Sequence, residues 1–337
     1  MMIRQLAIAA TFAALGATQA AADPVLIRMA NSVPASAHMN VQIFQPWCER
    51  VTAQSEGTVD AKLFPANAIA TSQNMLDRVL AGVVDIGFVN TAYFSGKFNK
   101  SKVTGLPLQT KESLPASVAL WNMMQQGGIL ADEWTELRVL AVFSYPGTGL
   151  VSTTPIRRME DMAGKKVSVG DRMLGQWVQN LGAAPISQPY SEAYESLNRG
   201  VVNAVAVGWT GVQPLKLWEV AKYYTAGTFG SSSVVAIAMA KPAYEKLAQK
   251  GRAAVDRNSG LEFTKQLGAF WDKVNVEGRK MVEGQKGTQI FDLSAAEMAR
   301  WAKAAEPVIE NWVKETPNGD KVLAEFRAQR DRAAASM

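Results

Sequence analysis

Apolar and polar positions in this chain follow two periods, and the switches between them mark out its elements. Residues 25–30 form a short apolar run, read as a strand. Residues 31–39 form a loop that leads into a helix reaching about Gln54. Residues 58–64 alternate strictly, with Val59, Ala61 and Leu63 on one face, and a loop follows at 65–68. Thr71 or Ser72 then suits the cap of a helix whose apolar stripe is Leu76, Val79, Leu80 and Val83. Residues 85–90 read as a buried strand. A β-α-β-α-β order of this kind predicts a parallel sheet with crossover helices, and ligands of open α/β sheets bind beyond the carboxyl ends of such strands.

The pattern then changes partners. Strands at 137–143 and 149–153 flank the turn Tyr145-Pro146-Gly147-Thr148, which is read as the first crossing into a second domain. From Gly164 to Tyr224, short β-branched runs alternate with helical runs, and Gly and Pro punctuate the joins. A strand at 232–239 returns to the first domain. Residues 253–283 form one long helical run with Phe263, Leu267, Phe270, Trp271 and Val274 on one face. A short strand at 289–293 precedes two terminal helices, 294–315 and about 319–335. No internal repeat or low-complexity linker separates the domains, so several segments couple them.

Composition narrows the setting. A chain of 337 residues with 48% hydrophobic and 19% charged residues is globular and long enough for two domains. Its start carries Arg4, an apolar run from Leu6 to Leu15, and Ala20-Ala21-Ala22 before Asp23. That is the pattern of a cleaved secretory signal, and the run falls short of the ~20 apolar residues a membrane helix needs. Cys48, the only cysteine, excludes an intrachain disulfide and reads as a small buried hydrophobe. His38, the only histidine, excludes a multi-histidine metal site. The net charge of +5 is dispersed over 35 basic and 30 acidic residues, with no basic block interleaved with aromatics, so nucleic acid is not an expected partner. No G-x-S-x-G, H-E-x-x-H, Walker A or G-x-G-x-x-G sequence occurs, and no cofactor or metal is implied. Glu192 and Glu195 read as helix-surface carboxylates rather than a catalytic pair.

Four ordered stretches carry a family resemblance: Gly164-Lys165-Lys166-Val167-Ser168-Val169, Leu181-Gly182-Ala183-Ala184-Pro185-Ile186, Tyr190 through Ala204, and Leu217-Trp218-Glu219-Val220-Ala221-Lys222-Tyr223-Tyr224. Together they resemble the DctP-type periplasmic solute receptors of TRAP transporters, from Asp23 to about Trp312. The resemblance implies an α/β fold of the two-domain periplasmic binding protein type. It has a central cleft, discontinuous domains and a long helix in the C-terminal half spanning both. The expected division is a signal peptide at 1–22, domain I at 23–145 and 232–255, domain II at 146–231 and 285–337, and the interdomain helix at 256–284. The implied function is capture of a small organic solute in the periplasm by hinge closure, for delivery to a membrane permease driven by an ion gradient. A secreted enzyme using the same cleft, or an ABC-type receptor, is the alternative; the long helix and the lack of a nucleophile–base pair weigh against them.

The resemblance also implies where ligand contacts lie. The family's carboxylate-clamping arginine falls at Ser168, which lacks the bidentate guanidinium fork. A second frequent arginine falls in the stretch containing Thr148, again without arginine. Arg172, four residues beyond Ser168, is either the replacement cation or a solvated loop residue. Trp209, among small residues beyond a strand, either stacks on the ligand or packs between domains. Tyr93, Asn67 and His38 follow the first domain's strands and complete the expected set. The expected ligand is not a simple dicarboxylate.

Overall fold

The computed structural model describes residues 23–337, apart from 95, 227–229, 231 and 232. The expected signal peptide lies outside the described residues. Two sheets organise the molecule. The first contains β1 (Val25–Ala30), β2 (Val59–Phe64), β3 (Ile86–Asn90), β4 (Leu137–Ser144) and β10 (Val234–Ala240), in the order β2-β1-β3-β10-β4. The second contains β5 (Gly149–Ser152), β6 (Lys166–Val169), β7 (Ala184–Ser187), β8 (Ala204–Val207), β9 (Tyr223–Ala226) and β11 (Gln289–Asp292), in the order β11-β9-β5-β8-β6-β7. The helices are α1 (Gln45–Gln54), α2 (Met75–Leu80), α3 (Ser113–Met124), α4 (Arg172–Asn180), α5 (Ala193–Asn198), α6 (Trp209–Val212), α7 (Lys241–Glu245), α8 (Gln249–Arg257), α9 (Leu261–Glu283), α10 (Ala295–Glu315) and α11 (Gly319–Ala335).

Strand β1 pairs in parallel with β2 and β3, as the opening pattern predicts. The returning strand β10 inserts antiparallel between β3 and β4, with all seven residues buried. Period-two alternation sends Ile27, Phe88 and Phe143 to one face of the first sheet, against Trp47 of α1 and Phe263 of α9. Val89 and Val142 go to the other, against α2, α3 and α11. The second sheet does the same. Val167 and Val169 pack under Trp177 and Trp301, while Val205 and Val151 pack on the opposite face with Tyr224.

The long helical run divides. Gly260, at φ 90, donates its N–H to Leu140 O at 2.6 Å and separates α8 from α9. Helix α9 then crosses from one lobe to the other. At Gly268 a Cβ would sit 2.7 Å from Leu114 Cα, and at Gly278 one would sit 2.4 Å from Trp209 O. Two side-chain-free positions thus let α9 lie against α3 in the first lobe and α6 in the second. Helix α10 also crosses: Trp301 and Ala305 join the second lobe's core, and Trp312 joins the first lobe's. The C-terminal tail therefore departs from the expected assignment of 285–337 to domain II. Val322 and Phe326 of α11 are fully buried with α3 in the first lobe, because the apolar stripe of α11 covers that sheet's outer face. Neither Thr71 nor Ser72 caps α2: its N-cap position is Asn74, whose side chain makes no capping bond and instead accepts from Thr71 N at 2.8 Å.

Candidate functional site

The segments just beyond β3 and β6 and the end of β7 come together at a groove between the lobes. A cavity of 570 Å³ opens there. Its first-lobe wall includes Thr91, Lys102 and Thr104, its second-lobe wall Gly170, Asp171 and Arg172, and its remaining side the end of α10 at Trp312, Glu315 and Thr316. The volume suits a small organic molecule.

The expected residues divide among several settings. Arg172 lines the cavity, but its side chain is 74% exposed and meets Glu315 at 3.6 Å. Tyr93 ends a short turn after β3, held by Asn90 Oδ1 accepting from Ala92 N at 3.0 Å, and stands 48% exposed beside the groove. His38 is exposed at the start of the first helical segment. Asn67 is exposed in the turn after β2 at φ 62.

Three expected contacts are taken up by other parts of the protein, Thr148 and Ser168 buried and Trp209 half-buried. Thr148 ties two interlobe segments together: its N–H and its hydroxyl both donate to Gly230 O, at 3.3 and 3.1 Å. Ser168 is 0% exposed between Ile186 and Val205 in the sheet, with its Oγ unpartnered. Its neighbours Val167 and Val169 point to the α4 side, so Ser168 points to the opposite core. Trp209 opens α6, stacks on Tyr224 at 5.4 Å and lies under the Arg279 guanidinium. Arg279 is held in turn by Asp292 at 3.0 and 2.9 Å. Trp209 thus packs within the second lobe rather than lining the cavity.

A second aromatic cluster lies between the end of β4 and α9. Tyr145, just beyond β4, packs against Trp271 of α9 at 4.5 Å, and Trp271 stacks on Phe143 at 5.7 Å. The Trp271 indole N–H and Asn275 Oδ1, one turn further along α9, are buried without hydrogen-bond partners. So are Ser32 Oγ after β1, Thr104 Oγ1 in the cavity wall and Gln188 Nε2 after β7. Buried polar groups are nearly always paired, so the orphaned Thr104 hydroxyl in the cavity wall marks a place built to meet a polar molecule.

Burial dominates the electrostatics. It raises the phenol pKa of Tyr145, with nearby Tyr93 adding to the effect. Tyr190 is raised by burial and then by the charge of Asp171, with Tyr93 contributing less. Tyr93 therefore stands close to both a first-lobe and a second-lobe tyrosine. Asp171 is raised by burial, against the backbone N–H groups of Leu174 and Met173 and the charge of Lys102. Lys102 is lowered by burial, against Glu133 and Asp171. No group of three His, Cys, Asp or Glu that could hold a metal occurs among the described residues.

Sequence reasoning missed Lys102, Tyr145, Tyr190, Trp271 and Asn275 as groove residues. Trp271 was legible only as part of an apolar helix stripe. Lys102 sits in a short turn, Ser101–Gly105, that has no periodicity to interpret.

Residues 29–316 match the family described as bacterial extracellular solute-binding protein, family 7, or DctP. The chain belongs to this family. A Comamonas testosteroni relative named outer membrane transporter protein TsaT is 28% identical over 337 residues, 97% of each chain. A solved marine metagenome TRAP solute binding protein, specific for aromatic acid ligands and bound to metahydroxyphenylacetate, superposes with a TM-score of 0.84 at 25% identity. That match covers 92% of this chain and 99% of the other. A Bordetella bronchiseptica TRAP periplasmic protein with bound (R)- and (S)-mandelate gives 0.80 at 25% identity, with the same coverage. The DctP-family chain is accordingly a periplasmic solute receptor that captures a small organic solute for a TRAP membrane permease. Members of the family are receptors rather than enzymes. No helix among the described residues is long and apolar enough to cross a membrane.

Proposed function

We propose that this receptor captures a small aromatic monoacid between its lobes and releases it unchanged, without chemistry. The carrying observation is the composition of the groove: Tyr93, Tyr145 and Trp271 on the first-lobe side face Tyr190 on the second, with orphaned donors and acceptors among them. Flat rings are matched by aromatic walls, and phenol and indole groups orient a polar substituent. Ser168 supports the same reading, since a buried hydroxyl cannot replace a bidentate clamp for one end of a dicarboxylate. The solved relatives bound to aromatic acids and mandelate point the same way.

A thermal-shift panel of benzoate, 3-hydroxybenzoate, mandelate, succinate and glucuronate tests this. A ligand at 100 times its dissociation constant stabilises the folded chain by about 2.7 kcal/mol. The aromatic acids should raise the melting temperature and remain chemically intact on incubation. A shift confined to succinate or glucuronate contradicts the ligand class, and consumption of the ligand contradicts the receptor role.

A further inference from the structure

An acid needs a counter-charge, and the family's usual position does not supply one here. Four charged groups line the cavity: Lys102, Asp171, Arg172 and Glu315. Arg172 is largely exposed and already faces Glu315. Asp171 caps α4, accepting from Leu174 N at 2.9 Å. Lys102 is different. Its ammonium donates to Phe94 O at 3.2 Å, its one hydrogen bond to the protein among the described residues, and burial weakens its hold on the proton. The nearby Glu133 carboxylate is engaged elsewhere, by Lys100 N, Ser101 N and Ser101 Oγ at 2.8, 2.9 and 2.7 Å. The neighbouring Lys100, by contrast, is paired with Asp132 at 2.7 Å. A lysine ammonium carries three donors, so Lys102 keeps two for a molecule in the cavity. Thr104, two residues along the same turn, adds a fully buried hydroxyl without a partner to the same wall.

We propose that Lys102, assisted by Thr104, receives the acid group of the solute, moving the counter-charge from the second lobe, where Ser168 stands, to the first. This rests on the solute being an acid, as the proposed function holds, but not on its being aromatic. Such a site makes the first lobe the initial dock for the anion, with the second lobe closing over the ring.

The experiment compares Lys102→Gln, Lys102→Arg and Arg172→Gln with the parent, using Lys97→Gln as an exposed-charge control. Calorimetry measures benzoate, 3-hydroxybenzoate, succinate and glucuronate, and the neutral amides benzamide and 3-hydroxybenzamide. Lys102→Gln should weaken the bound acid by about tenfold or more and leave the amides nearly unchanged, because only the charge-assisted contact is lost. Lys102→Arg should recover part of the acid affinity. The unliganded melting temperature of Lys102→Gln should not fall, since the substitution removes a half-buried charge with a single hydrogen bond to the protein. Equal acid affinity in Lys102→Gln and parent overturns the proposal, as does a loss confined to Arg172→Gln. Succinate or glucuronate binding that depends on Lys102 sinks the aromatic reading and supports the lysine. Failure of the parent to bind any acid overturns both.

Discussion

Individual side chains at the groove separate by whether protein or solvent completes their contacts. Ser168 carries an orphaned hydroxyl in a sheet core. Removing such a hydroxyl leaves no broken hydrogen bond, so Ser168→Ala should leave the melting temperature unchanged or raised, and solute affinity intact. A tenfold loss of affinity with an unchanged melt would instead place Ser168 in contact with the ligand. Trp209 is the reverse case. It stacks on Tyr224 beneath Arg279, so Trp209→Ala should cost about 2–4 kcal/mol of stability in urea unfolding, on the scale of large-to-small core substitutions. Solute affinity of the folded variant should change little; a selective loss of binding without destabilisation would return Trp209 to the ligand. Both residues show the limit of a motif. The sequence identified their positions in the strand and turn, but the face of the sheet on which each side chain lies depends on pairing with β7, β8 and α9. Tyr145 and Tyr190 were hidden for the same reason: they come from distant segments, and both lie near Tyr93 only in the folded chain.

Among the elements, the strands were the most legible. Alternation predicted β2, and short apolar runs predicted β1, β3 and β4, nearly to the residue. The helical stretch 253–283 was harder. Its periodicity runs on, while the break at Gly260 comes from a positive φ and a hydrogen bond to Leu140 that only the sheet supplies. The placement of α11 was beyond local pattern altogether, since an amphipathic helix does not name the sheet it covers. Helix α9 carries the clearest prediction at this scale. Its approach to α6 requires Gly278, where a Cβ would meet Trp209 O at 2.4 Å. Gly278→Ala should destabilise the chain by about 1–3 kcal/mol through overpacking, despite alanine's better helix propensity. An increase in melting temperature would show that α9 and α6 are not held that closely in solution.

At the scale of the whole molecule, the β4–β5 turn, Gly230, α9, and α10 with its Trp312 anchor link the lobes among the described residues. Thr148 links the first two by its paired bonds to Gly230 O. Cavity-lining groups come from both lobes, so a solute that contacts both sides stabilises the closed arrangement over the open one. Closure around a ring also shields a Lys102–carboxylate pair from water, which strengthens it. The most direct test of this account is native mass spectrometry of the purified chain, recorded before and after mild denaturation, with benzoate, 3-hydroxybenzoate and succinate supplied together at equal concentration. The account predicts one bound molecule per chain, released on denaturation with the unchanged mass of an aromatic monoacid. Retention of succinate in preference to both aromatic acids would contradict it.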